Sequence, residues 1–220
     1  MAKKKYYAIL EAVTTDENMV ADIAIIICDK EGSIFNQMAV VIKEHYDDFR
    51  LQNDLIPGYR SVYEDMLNSG KRTLAGVVTV NHWIRQAFVK YNPELVSWNL
   101  LMHLESCAKT GIKLDLFDVK LCLCEVAQNI LLNSKKYFKA SNLEASTSGS
   151  RFSGNCSSLD LKTAIGFFGE KESKVDCTAL EKARDAVIPV LCSLIKNRRW
   201  QEVALHADGK LQSSNEKNGN

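Results

Sequence analysis

The sequence predicts an α/β protein built on a mixed, five-stranded sheet with helices on both faces. Three apolar segments of strand length follow one another in the first 42 residues, before any segment of helical period. After them, short apolar runs alternate with amphipathic helical patterns. Sequential strands favour antiparallel pairing, whereas strands separated by helices favour parallel pairing, so the two halves together predict a mixed sheet.

The first three strands are predicted from their apolar character and from the turn between two of them. Tyr6–Thr15 opens the chain as a strand whose last residues reach the rim of the sheet. Ala21–Cys28 is almost continuously apolar, which is typical of a strand buried on both faces. Four turn residues, Asp29–Gly32, join it to the third strand, Ser33–Ile42, and indicate a hairpin. We therefore expect these three strands to be antiparallel.

The second half predicts two further strands among helices. The strands are Leu95–Trp98 and Leu114–Phe117, the latter either a short fifth strand or an extended link. Glu44–Gly76 is polar and mixed, which suggests one or two short helices. Further helices are predicted at Asn81–Tyr91 with Asn81 as its cap, at Asn99–Lys109 with Gly111 after it, at Val119–Leu132, and in a segment that ends at Phe168.

The clearest helix follows a capping box at Thr178–Glu181, and Pro189 inside it predicts a kink. Residues 1–200 are expected to form a single domain. The Ser-rich stretch 141–158 is expected to be a mobile loop, and 201–220 a disordered tail.

Composition places the chain among ordinary globular proteins. It has 220 residues, 46% of them hydrophobic and 25% charged, with a net charge of +1. Such a balance gives no overall attraction to nucleic acid or membranes. There is no run of 18 apolar residues and no apolar core of a secretion signal. The seven cysteines lack zinc-type spacing, which favours thiols in a reducing cytoplasm.

Four local phrases, in this order, resemble motifs of the DEDD-type 3′–5′ exonucleases of the RNase H-like fold, a family that includes phage and bacterial enzymes. Tyr6–Thr15 is similar to the strand that carries Asp-x-Glu, and Asp22–Ala24 with Asp29–Gly32 to the hairpin that follows. Val96–His103 is similar to the Asn-x-x-Phe-Asp motif. Cys177–Ala183 is similar to the His-x-Ala-Leu-x-Asp-Ala motif.

The resemblance covers nearly the whole chain and implies an RNase H-like fold. It also implies a chemistry, the hydrolysis of phosphodiesters by two divalent cations about 3.5–4 Å apart. Hard cations need oxygen ligands, which the family supplies from four carboxylates. A histidine beside the last carboxylate serves as the general base.

Residue by residue, the chain departs from that pattern. Glu11 lies where the first Asp belongs, and Val13 replaces the Glu that follows it. His103 replaces the next Asp, Cys177 the general-base His, and Lys182 the last Asp. The degenerate positions therefore predict that no catalytic set is intact.

An alternative register makes Glu11 the second acid and leaves Ile9 at the first, but either register keeps one acid of four. One carboxylate cannot hold two hard cations, and an ammonium repels them. We therefore expect no metal cofactor, with Mg²⁺ or Mn²⁺ as the alternative. We expect Lys182 to lie near Glu11 as its counter-charge, since a buried carboxylate is costly unpaired.

Other residues have two possible interpretations. His103 is either a degenerate metal ligand or a hydrogen-bonded, partly buried histidine, and Asp22 suggests a rim or loop-capping residue. The candidate nucleic-acid contacts combine cations with an aromatic ring that can stack on a base. They are Asn99, Lys196, Arg198, Arg199 and Trp200. For the last four, the alternative is a helix C-terminus whose cations match the helix dipole.

The predicted function is that of a catalytically inactive pseudo-exonuclease that binds nucleic acid or a protein partner, and a phage origin fits the resemblance. One alternative is an active but degenerate metal-dependent exonuclease that uses Glu11 with Asp22, His103 or Asp176. Another is a structural or inhibitory protein that docks through its Ser-rich loop and strand edge. No membrane partner is expected.

Overall fold

The computed structural model contains a six-stranded mixed sheet and helices packed against it. It describes residues 4–15, 17–46, 59–131, 161–168, 178–200 and 203. The strands are β1 Tyr7–Thr14, β2 Val20–Cys28, β3 Ile34–Ile42, β4 Thr73–Ala75, β5 Glu94–Ser97 and β6 Lys120–Cys122. The helices are α1 Lys43–Tyr46, α2 Tyr59–Asn68, α3 Val77–Tyr91, α4 Leu100–Thr110, α5 Leu123–Leu131, α6 Leu161–Phe168, α7 Ala179–Lys182, a π-helical segment Ala183–Val187, and α8 Ile188–Ile195.

The strand order across the sheet is β4-β3-β2-β1-β5-β6. β2 is antiparallel to both β1 and β3, which confirms the expected arrangement of the first three strands. β5 is parallel to β1, β6 to β5, and β4 to β3. The mixed α/β class is thus confirmed, but the count of five strands is wrong. β4 is the extra strand, and its three residues are too few to show an alternating pattern.

The last strand lies later in the chain than predicted. Leu114–Phe117 does not form a strand, and the strand is β6, Lys120–Cys122. Leu114 and Phe117 belong to an irregular segment, and both side chains are buried in the core. This burial explains why the segment has the apolar character of a strand. α5 consequently begins at Leu123, four residues after the predicted helix start.

The sheet is covered on both faces around β2. All nine residues of β2 are buried, as are the first six of β1. Because successive side chains of a strand point to opposite faces, this burial requires packing on both sides of the sheet. The prediction of a doubly buried second strand is confirmed. Within the described ranges, no helix is both long enough and apolar enough to span a bilayer.

α3 starts four residues earlier than predicted, and Asn81 is not its cap. Gly76 is the N-cap residue, and Asn81 lies one turn inside the helix. The Asn81 side chain donates to the Gly111 carbonyl at 2.9 Å and accepts from the Lys113 N–H at 2.8 Å. Asn81 therefore ties α3 to the segment after α4. Gly111 ends α4 with a φ of 84°, as its position after the helix predicts.

The C-terminal helix begins as the sequence predicts and then changes geometry. The capping box is present, since the Thr178 N–H donates to Glu181 Oε2 at 3.1 Å. The π-helical segment Ala183–Val187 lies where a kink is predicted and ends two residues before Pro189. Proline lacks the N–H of a regular helix and its ring clashes with the carbonyl four residues back, so a wider turn accommodates it.

Gly32 ends the β2–β3 turn in a conformation that disfavours other residues. Its φ is 84°, and an added Cβ would lie 3.1 Å from Cys192 Sγ and 3.3 Å from Ile188 Cγ2. We expect Gly32→Ala to lower the free energy of unfolding by about 1–2 kcal/mol, measured by urea denaturation. Gly166→Ala is the control, because that Cβ in α6 would meet nothing within 4 Å. An unchanged free energy of unfolding in Gly32→Ala would contradict the expected strain at Gly32.

Several predictions lie outside the described residues. They concern the mobility of 141–158, the disorder of the tail at 201–202 and 204–220, and the placement of Cys177 and Asp176. Within the predicted tail 201–220, Val203 is described and is a buried helical residue, so the prediction of disorder is wrong at that position.

Candidate functional site

Glu11 is a buried carboxylate at the centre of the site. It lies in β1 with no exposed surface. Glu11 Oε2 lies 2.8 Å from the Lys182 ammonium nitrogen, and Glu11 Oε1 accepts from the Trp98 N–H at 3.3 Å. The ion pair expected from the sequence is therefore present. It joins β1 to α7, two elements separated by more than 160 residues, and Trp98 joins both to the end of β5.

Lys182 is the member of this pair that solvent reaches. Its side chain is 24% exposed, whereas that of Glu11 is fully buried. Lys182 is the last residue of α7 and stands directly before the π-helical segment. Because the ammonium keeps some contact with water, its desolvation costs less than that of the carboxylate it pairs with.

His103 lies close to the Glu11–Lys182 pair and is also fully buried. It belongs to the first turn of α4, and its Nδ1 lies 2.6 Å from the Ser97 hydroxyl oxygen. Among the described residues, none hydrogen-bonds to its Nε2. Burial lowers the pKa of His103 below its ordinary value of 6.5; the Glu11 carboxylate opposes this shift and the Lys182 ammonium adds to it. His103 is therefore neutral at pH 7.

These contacts bring together three of the positions that the resemblance to exonuclease motifs singles out. Glu11, His103 and Lys182 come from three elements that are distant in sequence, and they form one electrostatic cluster. Val13 lies two residues after Glu11 on the same face of β1 and contributes no ligand. Among the residues that the structure describes, no three His, Cys, Asp or Glu side chains are grouped as a metal site requires.

Asp22 is a second buried carboxylate on this face of the sheet. It lies in β2 directly opposite Val13, and directly opposed residues of antiparallel strands share a face. Its Oδ2 accepts hydrogen bonds from the Tyr63 hydroxyl and from the Ala179 N–H, the latter at 2.8 Å. The sequence suggested that Asp22 caps a loop, but the structure shows that it does not. It satisfies the first N–H of α7.

Burial raises the pKa of Asp22 above its ordinary value, while the hydrogen bonds from Tyr63 and Ala179 act in the opposite direction. Arg72 lies nearby and also favours the charged form. Its guanidinium donates to Thr178 Oγ1 at 2.5 Å. Asp22 and Arg72 together fix the start of α7, and α7 in turn places Lys182 beside Glu11.

No sequence pattern identifies this supporting network. The one available signal is Asp22 itself, a charged residue inside an otherwise apolar strand, which requires a buried partner. Arg72 and Tyr63 lie in a mixed segment with no strong pattern, and their contacts depend on the folded arrangement of α2, β4 and α7.

The basic cluster at the end of α8 is only partly available for binding. Lys196 and Arg198 are exposed, and Arg199 donates to the Asn129 carbonyl at 3.3 Å. Trp200 is buried, with 9% of its surface exposed, so its ring has no open face on which a base could stack. Base stacking on Trp200 stays a prediction that this conformation does not favour. The Asn99 carbonyl accepts from the His103 N–H at 3.1 Å at the start of α4.

The state of His103 predicts a loss of stability in acid. The pKa of His103 is lower in the folded protein than in the unfolded chain. The stability that the neutral histidine contributes is therefore fully present above pH 6.5 and is lost as the pH falls through the folded pKa. We expect the free energy of unfolding to fall below pH 6.5 by up to about 1.4 kcal/mol per pH unit. Urea denaturation at several pH values measures this slope.

His103→Gln is expected to remove that part of the slope, whereas His82→Gln, at an exposed position of α3, should leave it intact. Equal slopes in the wild type and in His103→Gln would contradict a neutral, buried His103.

Comparison with known proteins adds no relative: no family model, no curated protein and no solved structure matches this chain.

Proposed function

We propose that the chain is a catalytically inactive counterpart of the DEDD-type 3′–5′ exonucleases, with an RNase H-like fold, and that it acts by binding single-stranded nucleic acid. The observation that carries the proposal is the Glu11–Lys182 ion pair, with 2.8 Å between Glu11 Oε2 and Lys182 Nζ. The ammonium occupies the space beside the acid that a divalent cation would need.

The arrangement of the sheet supports the fold. Three antiparallel strands, β3-β2-β1, continue into the parallel strands β5 and β6, and β4 adds an edge strand beyond β3. This is the order expected when the first three strands form a meander and later strands join through helices.

The convergence of the motif positions supports the relationship to exonucleases. The resemblance concerns phrases that are far apart in the sequence, and nothing in their composition requires them to meet. Glu11, His103 and Lys182 nevertheless lie around one point. Such a meeting is expected if the phrases descend from one active site.

The burial of the site supports a binding function over catalysis. Glu11, Asp22 and His103 have no exposed surface, so a phosphodiester cannot reach their side chains in this conformation. The Glu11 carboxylate is committed to Lys182, and Asp22 to Tyr63 and Ala179. The alternative nuclease that uses Glu11 with Asp22 or His103 would have to break these contacts first.

Nucleic acid is the partner favoured by the exposed cations at the end of α8. Lys196 and Arg198 are exposed and lie in sequence beside the partly buried Arg199. Among the described residues, no carboxylate lies within ion-pair distance of Lys196 or Arg198. Contacts of this kind bind phosphates through charge rather than base identity.

Fluorescence anisotropy with labelled single-stranded DNA and RNA tests the binding. We expect the affinity for nucleic acid to fall steeply as the salt concentration rises. We also expect the double variant Lys196→Glu/Arg198→Glu to bind about tenfold or more weakly. Lys71→Glu/Lys113→Glu is the matched control, because it makes the same change in net charge at two other exposed sites. Absence of salt-dependent binding to either nucleic acid would overturn the proposed partner.

Incubation of the same substrates with Mn²⁺ tests the loss of catalysis. We expect the nucleic acids to stay intact. Degradation that Glu11→Gln abolishes would identify an active, metal-dependent exonuclease and would overturn the proposal of an inactive one.

A further inference from the structure

A second candidate site lies at the opposite end of the sheet from Glu11 and Lys182. A cavity of about 300 Å³ is lined by residues just before β1, β5 and β6 and by the end of α3. Because β1, β5 and β6 are parallel, their starts share one edge, whereas the contact between Glu11 and Trp98 lies toward the other. The cavity is therefore separate from the degenerate exonuclease site.

The charges around this cavity leave one carboxylate without a counter-charge. Lys4 pairs with Asp29 at 3.1 Å, and Lys5 pairs with Glu94 at 2.7 Å. Asp118 also lines the cavity and is exposed, and no described cation lies within ion-pair distance of it. The negative charge that remains available in the cavity is that of Asp118.

The end of α3 adds to this negative character. α3 ends at Tyr91, and Tyr91 and Asn92 form part of the cavity wall. The C-terminus of a helix carries a partial negative charge that favours a nearby cation. Asn92 closes the helix in a left-handed conformation and donates its N–H to the Phe88 carbonyl.

Aromatic rings form another part of the wall. Tyr6, Phe88 and Tyr91 all line the cavity, and the rings of Tyr6 and Tyr91 meet edge to face at 5.3 Å. Ring faces attract cations, and the chain's own lysines already use this property nearby. The Lys90 ammonium lies 5.0 Å from the centre of the Tyr91 ring, and the Lys4 ammonium 4.2 Å from that of Phe35.

We propose that this cavity binds the guanidinium group of an arginine side chain presented by a partner protein. A guanidinium can pair with the Asp118 carboxylate through two parallel hydrogen bonds and can lie against an aromatic face. The volume is at the lower end for ligand sites, which suits one long side chain rather than a large ligand. The inference is independent of the proposed nucleic-acid binding.

Isothermal titration calorimetry with two ligands of the same shape tests the inference. N-acetyl-arginine amide carries the guanidinium, and N-acetyl-citrulline amide replaces it with a neutral urea group. We expect binding of the first and at least tenfold weaker binding of the second. A short Gly/Ser peptide with one central arginine is expected to bind more tightly than the single amino acid, since a partner would present the side chain from its backbone.

Asp118→Asn should weaken binding of N-acetyl-arginine amide about fivefold while the fold stays intact, because Asp118 is exposed. Asp115→Asn, at an exposed position three residues earlier, is the matched control and should bind normally. Equal binding of both ligands, no binding of either, or an Asp118→Asn variant with unchanged affinity would overturn the inference. If N-acetyl-arginine amide bound more tightly than the arginine-containing peptide, the assignment of a protein partner would be overturned.

Discussion

Replacing Lys182 with methionine is expected to lower the free energy of unfolding by about 3 kcal/mol or more. The change keeps much of the side-chain volume but removes the ammonium 2.8 Å from Glu11 Oε2. Glu11 is fully buried, so its carboxylate would remain charged in the core without a partner or would have to take up a proton. Breaking a buried ion pair on one side costs about 3–5 kcal/mol. Urea denaturation at pH 7 measures the loss.

Three further variants separate the ion pair from other effects of the substitution. Glu11→Gln should cost less than Lys182→Met, because the ammonium left behind is 24% exposed and can bind water. The double variant should recover most of the loss, since it removes both charges together. Lys196→Met, at an exposed position of the same helical region, should change stability by less than about 0.5 kcal/mol. A loss below 1 kcal/mol for Lys182→Met would mean that Glu11 has another partner.

Replacing Asp22 with alanine is expected to cost about 3 kcal/mol. The Asp22 carboxylate accepts from the Tyr63 hydroxyl and from the Ala179 N–H, and both donors would lose their acceptor. Each buried donor left unsatisfied costs about 1–3 kcal/mol. Because the Ala179 N–H is the first of α7, the start of that helix should also fray. Hydrogen exchange of the Ala179 amide, alongside urea denaturation, would detect this.

Asp22→Asn is the informative companion to the alanine variant. Its carbonyl oxygen can still accept both hydrogen bonds, and it avoids a buried charge, so we expect a clearly smaller loss of stability. Asp65→Ala, at an exposed position of α2, is the control and should be nearly neutral. If Asp22→Ala were no worse than Asp65→Ala, the two hydrogen bonds could not be holding α7 in place.

The sequence was most informative where one residue type leaves few structural solutions. The uninterrupted apolar run of β2 required a doubly covered strand, and Thr178 with Glu181 required a helix start. The ion pair between Glu11 and Lys182 was predictable because a buried acid is costly without a counter-charge, and the resemblance to exonuclease motifs predicted Lys182 beside it.

Other parts of the molecule depend on contacts that no local pattern records. β4 and β6 have three residues each, and they are strands only because β3 and β5 offer free edges in register. Asn81 has the residue type of a helix cap, yet its side chain joins α3 to Gly111 and Lys113. Trp200 is buried although it follows a mostly charged stretch, because the hydrogen-bonded turns after α8 bring it into the core.

The π-helical segment sets the rotation of α7, which carries Lys182, relative to α8, which packs in the core. Its extra residue per turn, shown by the Ile188 N–H that donates to the Ala183 carbonyl, offsets α7 from α8. Deleting one residue within 183–187 would restore regular α-helical spacing and rotate one half of the helix by about 100° relative to the other. Either Lys182 would swing away from Glu11, or the buried side of α8 would turn toward solvent. This stretch should therefore reject single-residue deletions that an ordinary surface helix could absorb.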